Sequence, residues 1–224
     1  MNFQREALAA IKREFPKHKN ANHAEGAFNY MKGIAPFIGI DAPTRRRILK
    51  EIFKELPEPT SDQLGKTAIA LMKLPQREYH YAAYDLIEYF VEFADESFLN
   101  KYAEKLITST PWWDTVDGLG TAMLSPLTIL YPNKKLIEKW NRSENIWLIR
   151  SSIQHQRGRR KQTNVPYVLE LCQRHVDSKE FFIVKAIGWA LRDISRFNKP
   201  AVREFLKKNP NLGSVAVKEA KRYL

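Results

Sequence analysis

The stretches SENIWLIRSSI (143–153) and SKEFFIVKAIGWALR (178–192) decide the fold. Ser143 and Ser178, Trp147 and Phe182, and Arg150 and Lys185 each stand 35 residues apart. The same step back from Trp147 and Arg150 reaches Trp112 and Thr115. A related segment, LPQREYHYAAYDLI (74–87), sits about one period earlier. A repeat of this length with two helices per unit marks an α-solenoid of the HEAT type, because a helical pair cannot bury its apolar face alone and stacks on its neighbours. The expected fold is all-α: a HEAT-like α-solenoid of about six helical pairs, with a concave basic groove, forming a single domain over residues 1–224.

Working outward, the remaining chain also reads as helices punctuated by proline. In PTRRRILKEIFKEL (43–56), Pro43 suits a first helical turn, where its missing N–H costs nothing. Ile48, Leu49, Ile52, Phe53 and Leu56 then recur in steps of about three and four, opposite Arg46, Lys50 and Lys54. Comparable helices are expected near 3–15, 22–32, 61–74, 77–92, 96–108, 112–130, 133–141, 144–156, 165–176, 179–196, 200–208 and 213–223, with Pro126 bending or breaking the longest. Ser143 before Glu144, and Asp177-Ser178 before Glu180, read as helix starts.

Composition narrows the function. Of 224 residues, 44% are hydrophobic and 28% charged, ordinary for a folded globular chain and wrong for disorder. Lys and Arg number 37 against 25 acids, a net charge of +12 that attracts polyanions, with nucleic acid first among them. The lone cysteine, Cys172, excludes an internal disulfide and lies in an apolar helical run, so a core position in a reducing cytoplasm is expected. Arg5 and Glu6 interrupt any signal-peptide core, and no apolar run is long enough to span a membrane.

Most catalytic constellations are missing. His18, His23, His80, His155 and His175 have no zinc-ligand spacing, and there is neither a phosphate-binding glycine loop nor a nucleophile elbow; no metal or cofactor is expected. Two basic runs, Arg45-Arg46-Arg47 and Arg157-Gly158-Arg159-Arg160-Lys161, can grip phosphates or simply be solvated. The most informative segment is PWWDTVD (111–117). Trp113 and Asp117 are four apart on one helical face, while Trp112 points elsewhere and joins the 35-residue apolar register. An indole face beside a carboxylate can stabilise a bound cation. The same pair also suits a buried tryptophan with an aspartate in a structural hydrogen bond or in a salt bridge with Arg150.

These segments, together with NYMKG (29–33), FIGIDAPTRRR (37–47) and LPQREYHYAA (74–83), resemble the AlkD family of bacterial DNA alkylation-repair glycosylases. The likeness runs from about residue 5 to 222 in the same order. It implies a HEAT-like solenoid that wraps duplex DNA and excises positively charged N3- and N7-alkylated purines as a monofunctional DNA glycosylase. On that resemblance the catalytic carboxylate is Asp117, the cleft tryptophans are Trp113 and Trp189, Arg150 lies near the DNA backbone, and Tyr30 closes over the cleft. Arg46 and Arg192 match phosphate-holding residues. Before Pro43 this chain has Ala42 where the family carries a hydroxyl, which removes one expected phosphate hydrogen bond and leaves the chemistry untouched. The expected partner is double-stranded DNA carrying alkylated purines, with no membrane role, a cytoplasmic location and a monomeric state, since a solenoid clamping one duplex needs no second subunit. The competing reading is a non-catalytic HEAT-like nucleic-acid-binding protein; the presence of Trp113, Asp117, Trp189 and Arg150 together favours the enzyme.

Overall fold

Helix caps and apolar periodicity explain most of the architecture. The structure, a computed structural model, describes residues 2–224, and among them no strand occurs. The chain divides into two compact units, the first ending at Met123 and the second Leu124–Leu224.

In the first unit, α1 (Phe3–Glu14) is capped by Asn2, whose side chain accepts from the Arg5 amide. It leads through α2 (Ala21–Tyr30) to α3 (Ala42–Lys54), which Asp41 caps by accepting from the Thr44 amide at 2.9 Å. As the spacing predicts, Ile48, Leu49, Ile52 and Phe53 are buried and Arg46, Lys50 and Lys54 exposed. A reciprocal capping box between Thr60 and Gln63 opens α4 (Ser61–Met72), which packs on α1 and on α5 (Arg77–Tyr89). A helical segment at 96–108, here α6, contains a π-helical turn at Leu99–Ala103. It precedes α7 (Trp113–Leu119), which packs on α5. The expected long helix is not broken at Pro126 but distorted before it: the helical run passes through a π-helical turn at Gly120–Leu124 into α8 (Ser125–Leu130), which carries the proline, a residue with no N–H to donate.

The second unit continues with α9 (Lys134–Asn141), α10 (Ile146–Gln154), α11 (Val165–Gln173), α12 (Phe181–Ser195), α13 (Lys199–Lys208) and α14 (Ser214–Ala220). Its core joins Ile149 and Ile153 of α10, Val168 and Cys172 of α11, Ile187 and Leu191 of α12, and Val202 and Phe205 of α13. Cys172 is fully buried, which pushes its thiol up to about 12. Gly188 lets α12 and α14 meet closely, since a Cβ there would sit 2.8 Å from the Ala216 Cα.

The 35-residue register is written in hydrogen bonds. Ser143 Oγ accepts from the Asn145 amide at 3.0 Å, and Ser178 Oγ accepts from the Glu180 amide at 3.2 Å. Asn145 and Glu180 in turn accept from Trp147 and Phe182, whose rings lie 4.8 Å apart. The serines are therefore not the caps. Each fixes the turn two residues ahead of the true cap, because the longer Asn145 and Glu180 side chains reach the free amides of the first turn.

Candidate active site

The start of α7 is held by a buried clamp. Arg77, 0% exposed on α5, donates from Nε to Asp114 Oδ2 at 3.0 Å and from Nη2 to Asp114 Oδ1 at 2.5 Å. The same guanidinium donates to Thr115 Oγ1 and to the Thr110 carbonyl. Tyr81, one turn along α5, donates its hydroxyl to Asp114 Oδ2 at 2.6 Å. Burial and the neighbouring Asp114 charge push the Tyr81 hydroxyl far above its ordinary value, so it stays a donor. His80 Nε2 donates to the Leu74 carbonyl at 2.7 Å, which leaves Nδ1 to accept from Arg77 at 3.2 Å; burial lowers this imidazole and keeps it neutral.

A second pair backs the first. Arg45, only 3% exposed, donates from Nε to Asp85 Oδ2 at 3.0 Å and stacks 4.7 Å from the Tyr81 ring centre. Burial raises the Asp85 carboxyl despite the pull of Arg45, and pushes the Tyr84 hydroxyl up to about 12. Tyr84 abuts α7 at Gly118, where a Cβ would lie 2.6 Å from its ring. Asp117, immediately before that glycine, thus sits on a helix fixed from both ends of the contact. Trp113 and Asp117 are both half-buried one turn apart, and Tyr30, 71% exposed at the end of α2, meets Trp113 edge-on with ring centres 6.2 Å apart.

In the second unit, Trp189 is the hub of a cationic cluster. Arg157, Arg150, Arg192 and Lys185 lie 4.5, 5.2, 5.3 and 5.9 Å from its ring centre. Its Nε1 is buried and makes no hydrogen bond among the described residues. A cavity of only 20 Å³ borders the indole, room for about one water and not for a purine.

Two of the arginines expected at phosphate have partners within the protein. Arg150 is 1% exposed and donates to the Phe182 carbonyl at 2.8 Å, so it braces α10 against α12 and is not displayed on an open surface. Arg192 is largely buried and pairs with Glu219 at 2.6 Å, alongside Lys185 at 2.7 Å; hydrogen bonds from these two, Lys185 foremost, hold the Glu219 carboxyl low. Of Arg45-Arg46-Arg47, Arg45 faces the interior while Arg46 and Arg47 are exposed. In the loop after α10, Arg159 turns inward to the Ser125 carbonyl, and Arg160 and Lys161 face solvent. Trp112, expected in the core, is half-buried and occupies the extended position just before α7.

The model of the DNA alkylation repair enzyme family matches residues 11–224. The chain belongs to this family. Among solved structures it is similar to a protein described as a predicted DNA alkylation repair enzyme from Enterococcus faecalis, at 28% identity and TM-score 0.83, covering 92% of this chain and 97% of that one. It also resembles AlkD2 from Streptococcus mutans, at 15% identity and TM-score 0.65 over 99% of each chain, a likeness of fold. No curated protein matches the chain. Membership in a DNA alkylation repair family makes DNA its partner and agrees with the all-α helical-repeat fold. Among the described residues no helix is long and apolar enough to cross a membrane.

The set missed from sequence is Arg77, Tyr81 and Asp114, which position α7. Their signal was present: Arg77 and Tyr81 are four apart on one face of α5, and Asp114 directly follows Trp113.

Proposed function

We propose that the protein is a monofunctional DNA glycosylase that excises cationic N3- and N7-alkylated purines, such as 3-methyladenine and 7-methylguanine, from duplex DNA. The observation that carries this reading is the single face of α7 presenting Trp113 and Asp117, with the helix start clamped through Asp114 by Arg77 and Tyr81. Membership in the repair family supports it.

Alkylation at N3 or N7 puts a positive charge on the base, so the base departs neutral once the C1′–N bond breaks. No general acid is needed, unlike ordinary glycoside hydrolysis, which uses a pair of carboxyl groups. Positive charge instead grows on the deoxyribose. Asp117 stabilises that charge electrostatically and orients the water that adds to C1′; the water's second proton passes to the carboxylate or to solvent. The faces of Trp113 and Trp189 favour cationic sugar and base, at about 0.5–2 kcal/mol each. Selectivity then arises from the lability of the lesion, without a pocket that grips a flipped base. Arg46 and Arg192 contribute to backbone binding, Arg150 holds its surroundings in place near the backbone, and Tyr30 covers Trp113. The protein acts as a cytoplasmic monomer of one HEAT-like domain and uses no cofactor.

Release of 7-methylguanine and 3-methyladenine from methylated duplex DNA tests this reading, with affinity measured in parallel. Asp117→Asn is expected to lower release by about 10²–10³-fold while binding is kept. Wild-type protein that binds DNA and releases neither base would leave a non-catalytic DNA clamp.

A further inference from the structure

Within the second unit, a cavity of about 450 Å³ opens between α8, α9, α11 and the loop that follows α10. Nothing in the proposed reaction uses it. Of the three charged side chains in its wall, Arg159 and Lys134 are cations and Glu170 is an acid. Arg159 lines it half-buried and forms no ion pair among the described residues. Nε and Nη2 are spent on Ser125 and Thr128, while the two N–H groups of Nη1 have no acceptor among the described residues. Burial alone pushes this guanidinium down to about 10, still charged at neutral pH.

The rest of the wall has matching polarity. Lys134 is exposed at the rim, its ammonium 5.2 Å from the Tyr167 ring centre. The one carboxylate in the wall, Glu170, is already paired with Arg174. His155 is neutral: its Nδ1 donates to the Ser152 carbonyl at 2.6 Å and its Nε2 accepts from Gln156 at 3.0 Å. The wall also includes Asn133 and Lys134 at the N-terminus of α9, and Asn164 and Pro166 at that of α11, so two helices direct positive dipole ends to one cavity. Gln156 Oε1 accepts from the Asn164 amide at 2.7 Å and ties the loop to the start of α11, so the cavity is preformed. Pro132 and Ile137 add an apolar side.

We infer that this cavity is a phosphate-binding site, in which Nη1 of Arg159 and the Lys134 ammonium hold the oxygens of a phosphate ester. The volume is within the range of small-molecule sites, about 300–1,000 Å³, and admits a group as large as a mononucleotide. The phosphate comes either from a free phosphorylated molecule or from a nucleic-acid backbone; the chemistry of recognition is the same. The site is independent of the glycosylase reading, since neither Arg159 nor Lys134 has a role in it.

The test uses the full-length protein, with thermal shift and titration calorimetry against inorganic phosphate and dAMP at fixed ionic strength, chloride being the reference. Phosphate and dAMP are expected to raise the melting temperature above the chloride reference. Lys134→Glu, at an exposed position, should weaken both by at least about tenfold while the ligand-free melting temperature stays unchanged. Arg159→Gln should abolish binding, and if it also unfolds the unit, Lys134→Glu still decides. Equal melting temperatures in phosphate and chloride, or wild-type affinity in Lys134→Glu, would overturn the site. Adding an undamaged duplex to dAMP-saturated protein separates the sources, and either result upholds the site: competition means a backbone phosphate, and independent binding means a free phosphorylated ligand.

Discussion

The two units each organise tryptophan and charge, and they do so in opposite ways. In the first, each buried cation has a carboxylate at bonding distance, Arg45 with Asp85 and Arg77 with Asp114, and tyrosines complete the network. In the second, four cationic side chains gather on one indole, Trp189, and Glu219 fastens two of them. Buried ion pairs with several hydrogen bonds fix geometry, whereas cations on an aromatic face are held by the ring quadrupole with less directional constraint. The first arrangement suits a side chain that must be aimed, and the second ties α10, its following loop and α12 to one ring. It also means that the Trp189 ring is already engaged by the protein's own cations. Any further cation approaching that ring competes with Arg150 and Arg157.

The largest effect is expected at Arg77, the most buried cation of the first unit. Removing it leaves Asp114 buried without its cation, which should cost about 3–5 kcal/mol of stability. Denaturant unfolding of Arg77→Ala measures this, and the double variant Arg77→Ala/Asp114→Asn should recover part of the loss because the orphaned charge is gone. A loss below about 1 kcal/mol would mean that the pair behaves as a surface salt bridge and does not position α7.

How much of this was legible depended on distance along the chain. The helices were, because apolar residues at three- and four-residue steps and prolines at first turns are local signals. The 35-residue register is legible too, although its serines brace the true caps two residues on rather than capping the helices themselves. Arg45 was read as part of a basic run, yet it shares the face of Leu49 and Ile52, so the helical step already placed it inside. The Arg77–Asp114 clamp was not legible as a pair: its partners stand on different helices, and no local spacing couples them. The partners of Arg150 and Arg192 were equally out of reach: the Phe182 carbonyl and Glu219 stand 32 and 27 residues away.

In the second unit a buried imidazole, His155, makes stability depend on pH. Burial lowers this imidazole from its ordinary value to about 4, against the hydrogen bond to Ser152 that favours the charged form. The unfolded chain therefore takes up the proton first. Stability contributed by the neutral ring is complete above about pH 6.5 and is lost as pH falls toward about 4, on the order of 3 kcal/mol in all. Thermal melts across that window should show a steeper decline for wild type than for His155→Asn. Parallel curves would mean that the ring titrates in the native state as it does in the unfolded chain.

The smallest effect separates cations that meet DNA from cations that hold the protein together. Arg46 is exposed on α3, and a phosphate contact there releases about one counterion, so Arg46→Ala should weaken duplex binding and make its salt dependence shallower by about one unit of slope. Arg150 is buried and spends a donor on the Phe182 carbonyl. Arg150→Ala should therefore lower the melting temperature and leave the slope as it was. A slope that shallows in Arg150→Ala would show that DNA binding opens this region and brings a phosphate to the guanidinium, and the cluster on Trp189 would then be a closed form of the binding surface.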